Sequence, residues 1–150
     1  MKAEKRAEVM TVETMQAIIE DMSEEFSREN NVFSFVLEKT QLYCVWDVKA
    51  DRMRLVSPIA KSKDVPAEFL EMALQANYHS VLDPRYAIGD GVLYSAFIHP
   101  LSPLTEDELR SAILQVAIAA NTFGSTFTSG ALVFPGDSQQ AEPEKGAPVL

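Results

Sequence analysis

The chain has 150 residues, of which 47% are hydrophobic and 23% charged, and its formal net charge is −9. This length and composition are typical of one globular domain that buries a core without disulfides or metals, and they exclude an intrinsically disordered chain. The negative charge repels phosphate backbones and anionic lipid head groups, so neither nucleic acid nor a membrane surface is expected as a partner.

Cys44 is the only cysteine, so no disulfide can form within the chain, and a reducing cytoplasm is the expected location. The N-terminal residues are followed by an acidic segment rather than by the apolar core of an export signal. The most apolar run, residues 112–120, is much shorter than the roughly 20 residues that cross a bilayer. No membrane-spanning segment is therefore predicted.

Apolar residues after Thr11 recur every three or four positions, which predicts an amphipathic helix capped by Thr11. The two adjacent asparagines at positions 30 and 31 predict a turn after this helix. The apolar stripe consists of Val12, Met15, Ile18, Ile19, Met22 and Phe26.

Three short segments rich in β-branched and aromatic residues follow, and they predict an antiparallel meander. They span residues 32–37, 41–48 and 52–56. Because side chains alternate between the two faces of a strand, the apolar positions define one apolar face of the sheet. In the second strand these positions are Leu42, Cys44, Trp46 and Val48.

A short amphipathic helix is predicted over residues 65–77, with Asp64 as its cap. Two further strands, residues 85–88 and 92–98, flank Gly89-Asp90-Gly91. The Asp-Gly pair adopts the positive φ angles that a tight turn requires, so a hairpin is predicted here.

The last predicted helix starts at Thr105, because Glu108 three residues later completes a capping box, and it extends to about residue 123. Leu114, Ile118 and Ala119 lie off the stripe that would face the sheet, so this helix is apolar on more than one side. Exposing Leu114 and Ile118 to water would cost roughly 1.5 to 3 kcal/mol each. These three residues are therefore the candidate partner-binding site.

The ends of the chain are predicted to lie outside the folded domain. Residues 1–10 are expected to be a flexible N-terminus, residues 11–134 the α+β domain, and residues 135–150 a disordered tail rich in Pro, Gly and charge. Residues 125–134 fit either a continued helix or a last strand.

No constellation of residues indicates catalysis, a metal or a cofactor. Cys44 lies in a strand interior, where burial makes a thiol unreactive. His79 and His99 lack a second ligand at the spacing that zinc sites use. The glycines fit neither a phosphate-binding loop nor a dinucleotide fingerprint. A hydrolase using His79 and Asp83 is the weakest of the alternatives, and no enzyme is predicted.

Together the elements predict an α+β fold: an antiparallel five-stranded sheet with helices packed on one side, in the order α-βββ-α-ββ-α. This order resembles the YbjN-like family, whose domain looks like that of type III secretion chaperones. The resemblance covers roughly residues 10–127. Its local sequences are Ala76-Asn77-Tyr78, the hairpin YAIGDGVLY of residues 86–94, and Pro103-Leu104-Thr105.

The resemblance implies a small homodimer that acts as a chaperone-like or regulatory adaptor, with no catalytic residue to carry over. The leading hypothesis is thus a non-enzymatic protein-binding adaptor whose partners are a second copy of itself and an unknown protein client. The alternative is a small-molecule sensor with a pocket between the sheet and the last helix, lined by Trp46, Tyr94 and Phe97.

Overall fold

A computed structural model describes residues 9–124 of the chain. Three α-helices, one 3-10 turn and six strands alternate along it. The predictions for residues 1–8 and 125–150, including the disordered tail, lie outside the described residues. The elements are α1 (Val12–Met22), β1 (Glu24–Glu29), β2 (Val32–Leu37), β3 (Thr40–Asp47), β4 (Arg52–Lys61), the 3-10 turn (Ser62–Asp64), α2 (Ala67–His79), β5 (Arg85–Gly89), β6 (Val92–Pro100) and α3 (Glu106–Asn121).

All six strands form one antiparallel sheet in the order β1-β2-β3-β4-β6-β5. The predicted α+β class with an antiparallel sheet is confirmed, but the predicted number of five strands is wrong. The additional strand is β1, so the element order is α-ββββ-α-ββ-α.

The first helix ends at Met22, earlier than its apolar stripe indicated. The Ser23 hydroxyl donates to the Ile19 carbonyl at 2.6 Å, and the chain then pairs with β2 as a bulged edge strand. Phe26 fits both periodicities, because in β1 it still faces the core side and contacts the Phe33 ring at a centroid distance of 5.3 Å. Pairing with β2 therefore overrides the helical pattern.

All three helices pack on one face of the sheet, as predicted. The main core joins α1 and α3 to the central strands; its fully buried members include Met15, Phe33, Phe35, Leu55 and Ile113. A second core lies under α2 and the end of α3, where Phe69, Leu93 and Phe123 meet. Within residues 9–124, no helix packs on the opposite face of the sheet, which is called the helix-free face below.

The starts of α3 and α2 show which local sequence signals were sufficient to predict where a helix begins. Thr105 caps α3 with the complete capping box: its hydroxyl accepts from the Glu108 N–H at 3.0 Å, and the Glu108 carboxylate accepts from the Thr105 N–H at 2.9 Å. Asp64, by contrast, lies in the 3-10 turn, and α2 begins after Pro66. The Asp90-Gly91 turn has the predicted positive φ angles of 50° and 81°.

Candidate functional site

The candidate site lies on the outer surface of α3. Leu114 and Ile118 are one helical turn apart, and 48% and 60% of their surfaces are exposed. Ala119 differs, because its side chain is buried in the second core against α2 and β5. The three predicted residues therefore do not form one exposed patch, since a helix rotates about 100° per residue and turns Ala119 inward.

A groove of about 170 Å³ adjoins Ile118 where the end of α2, the following turn and α3 meet. Its walls are mostly apolar and include Val81, Leu82, Tyr86 and Ala119. The small side chain of Ala119 leaves room at this point. Ala119 thus belongs to the site as part of the groove wall rather than as an exposed contact.

Two side chains hold the groove in shape. Asn77 in α2 bridges to β5 through both of its amide atoms: its Nδ2 donates to the Tyr86 carbonyl at 3.1 Å and its Oδ1 accepts from the Tyr86 N–H at 2.8 Å. Gln115 in α3 accepts from the Asp83 N–H at 3.1 Å. The Asn77 bonds therefore tie α2 to β5, and the Gln115 bond ties the turn between these two elements to α3.

Tyr86 lies at the bottom of the groove with its ring against Phe123, 5.4 Å between centroids. Its hydroxyl donates to the Ala119 carbonyl at 2.9 Å. Burial raises the pKa of Tyr86 to about 12, so the phenol stays protonated and remains a donor at neutral pH. No sequence pattern singled out Tyr86 or Asn77 for this role.

A second surface is the helix-free face of the sheet, which the sequence analysis left unassigned. Val45 and Val56 are both 3% exposed there, although none of the three helices described above packs against this face. Arg54 stands between Val45 on β3 and Ile98 on β6 in the strand register. The alternation of Arg52 and Arg54 with Met53 and Leu55 was the sequence signal for this arrangement.

The three aromatic residues proposed for a ligand pocket do not line one cavity. Trp46 and Phe97 belong to the main core on the helix side. Tyr94 lies on the opposite face, because it is three positions from Phe97 along β6 and side chains alternate between the faces. The predicted lining of this pocket is therefore wrong.

The remaining reactive residue types lie apart from one another. Cys44 is fully buried with its Sγ 3.7 Å from Met15 Sδ, and burial raises the pKa of its thiol. His79 packs edge-on against Tyr78, and His99 stacks on Phe97. Asp83 contacts Gln115 rather than His79. Among residues 9–124 no three His, Cys, Asp or Glu side chains are grouped to hold a metal ion.

None of the helices within residues 9–124 combines the length and apolar character needed to cross a membrane.

Comparison with known proteins gives a likeness of fold. No family model matches the chain, and no curated protein matches it. A chain of the HopA1–SchA chaperone–effector complex is similar, with a TM-score of 0.52 and 15% identity over 64% of this chain and 77% of that chain. A chain of the ExsC–ExsE complex has a TM-score of 0.49 and 11% identity over 59% of this chain and 70% of that chain.

The first of these likenesses shows that the chain shares the fold of a chain of the HopA1–SchA complex. Membership of the YbjN-like family stays a prediction.

Proposed function

We propose that this protein is a non-enzymatic, chaperone-like adaptor that binds a protein client and acts as a homodimer. The observation that carries the proposal is the exposure of Leu114 and Ile118 on one side of α3, beside an apolar groove. The fold shared with a chain of a chaperone–effector complex supports the class of function.

Exposed aliphatic side chains of this size are costly in water, at roughly 1.5 to 3 kcal/mol for each Leu or Ile that could be buried. A second copy of the chain removes this cost most simply, since a two-fold axis pairs the same surface on both subunits. Two α3 helices packed side by side would cover Leu114 and Ile118 of each subunit.

The groove beside Ile118 would receive a side chain of the other copy in such a contact. Leu82 is 71% exposed at its rim, and Ala119 leaves the space that a side chain of the other copy would enter. The fastening of the Asp83 turn to Gln115 keeps this space open in the free subunit. Leu114, Ile118 and Ala119 therefore form the proposed self-association site, with the first two as contacts and the third as the recess.

The experiment is sedimentation equilibrium at micromolar concentrations. Wild-type protein is expected to be a dimer, and the Leu114→Asp, Ile118→Asp double variant a folded monomer with unchanged circular dichroism. Val48→Asp is the control, because Val48 is 64% exposed in the turn after β3 and far along the chain from α3. A monomeric wild type, or a double variant that still dimerises, would contradict the proposed dimer.

A further inference from the structure

The part of the helix-free face that β4, β5 and β6 form has a charge opposite to that of the whole protein. Strands β4, β5 and β6 contain no Asp or Glu, although the chain has a net charge of −9. Their four Lys and Arg residues all lie on the helix-free face, as the strand register shows. These are Arg52, Arg54, Lys61 and Arg85.

Arg54 lies at the middle of this surface, and the hydrogen bonding of its guanidinium is incomplete. Its Nε is buried and has no hydrogen-bond partner among the described residues. Arg85 donates to the Pro84 carbonyl at 2.7 Å, and Arg52 donates to the Asp51 carbonyl at 3.3 Å. A buried donor without a partner is costly. An anionic group that accepts a hydrogen bond from Arg54 would remove this cost.

The surroundings of Arg54 are apolar. A hollow of about 110 Å³ lies beside it, and its lining includes Val56, Tyr94, Ala96 and Ile98. Asp90, in the turn near Tyr94, also lines this hollow. The other carboxylates that the register places on this face lie farther out: Asp47 opposite Arg52 at the end of the sheet, and Glu24 and Glu29 on the edge strand β1. A guanidinium surrounded by aliphatic side chains can donate hydrogen bonds to a carboxylate, and the apolar surroundings can contact aliphatic side chains on either side of that carboxylate.

We propose that this surface is the client-binding site and that it takes an extended segment carrying a Glu or Asp between aliphatic residues. The carboxylate accepts hydrogen bonds from Arg54, and the neighbouring aliphatic side chains enter the hollow beside Tyr94 and cover Val56. The inference rests on the proposed adaptor function and adds to it the chemistry of the client. It also places client binding and self-association on different surfaces, since α3 packs on the other face of the sheet.

The test uses a phage-displayed library of random dodecapeptides as probe. The wild-type protein is expected to select peptides with an acidic residue flanked by aliphatic residues. Arg54→Gln is expected to lose this preference and to bind the selected peptides at least about tenfold more weakly, the effect of one charge-assisted hydrogen bond. Affinity of the wild type is expected to fall as salt rises.

Lys63→Gln is the matched control, because it removes the same charge from the exposed turn after β4 and leaves the sheet face unchanged. It is expected to bind as the wild type does. Selection of peptides without acidic enrichment, selection of no consensus, or equal weakening by both variants would overturn the proposal.

Sedimentation of Arg54→Gln separates this proposal from the proposed dimer. A dimeric Arg54→Gln variant that has lost peptide binding supports both. A dimeric wild type that selects no acidic peptide overturns only the client site, and a monomeric wild type that selects acidic peptides through Arg54 overturns only the dimer. Binding of the selected peptides is expected to survive in the Leu114→Asp, Ile118→Asp variant.

Discussion

The Tyr86 hydroxyl on β5 donates a hydrogen bond to the Ala119 carbonyl in α3 over 2.9 Å. Ala119 is buried, so this bond joins the edge strand to the last helix inside the subunit and fixes one side of the groove beside Ile118.

Removing this hydrogen bond is expected to destabilise the fold modestly. Tyr86→Phe keeps the ring against Phe123 but removes the donor, which should lower the free energy of unfolding by about 1 kcal/mol. Urea denaturation followed by circular dichroism measures the change. Tyr78→Phe is the control because Tyr78 is 85% exposed, and an equal loss in both variants would contradict the assigned role.

Acid is expected to weaken the link between the β3–β4 turn and the segment before α3. Ser102 donates to Asp51 from its hydroxyl at 2.7 Å and from its N–H at 2.8 Å, and these bonds lower the pKa of the Asp51 carboxyl. A lowered pKa means that the stabilisation is complete above the ordinary value of 3.8 and is lost as the pH falls through the lower folded value.

Asp51→Asn tests this dependence. The amide cannot titrate and has a single acceptor oxygen, as a neutral mimic of the protonated carboxyl, and Asn tolerates the positive φ of 54° at this position. Its free energy of unfolding should be lower than that of the wild type at neutral pH and should converge with it below pH 3.8. Parallel curves for the two proteins between pH 7 and pH 2.5 would rule out the predicted linkage.

The two hydrogen bonds of the α3 capping box are expected to contribute to stability cooperatively. Thr105→Ala removes the acceptor for the Glu108 N–H and should cost about 1 kcal/mol of stability. Glu108→Ala removes the reciprocal bond, and the double variant should lose less than the sum of the two single losses. Thermal unfolding of the four proteins measures this coupling, and strict additivity would show that the two bonds are independent.

Cys44 is expected to report on opening of the core. Burial raises the pKa of its thiol, so a disulfide reagent such as DTNB should react with the native protein only when the contact between α1 and β3 opens. The reaction should be at least about a hundredfold faster in denaturing urea. Rapid labelling of the native protein would mean that the α1–β3 contact is not stable.

Local signals predicted those parts of the fold in which neighbouring residues decide the conformation. The Thr105–Glu108 box placed the start of α3 correctly, because both of its hydrogen bonds form within one turn. The Asp90-Gly91 pair located the last hairpin for the same reason. Strand β1 was missed, because Phe26 satisfies a helical spacing as well as a strand alternation and only pairing with β2 distinguishes them.

The properties of the candidate site likewise divide into those set by local sequence and those set by tertiary packing. The sequence by itself determined that α3 has more apolar surface than one stripe and that Arg52 and Arg54 share a strand face, because these follow from helical and strand periods. Only the tertiary structure decided that Ala119 is buried while Leu114 and Ile118 are exposed, and that the Nε of Arg54 is buried without a hydrogen-bond partner among the described residues. Exposure depends on which elements pack against a surface, and residues distant in the chain determine that packing.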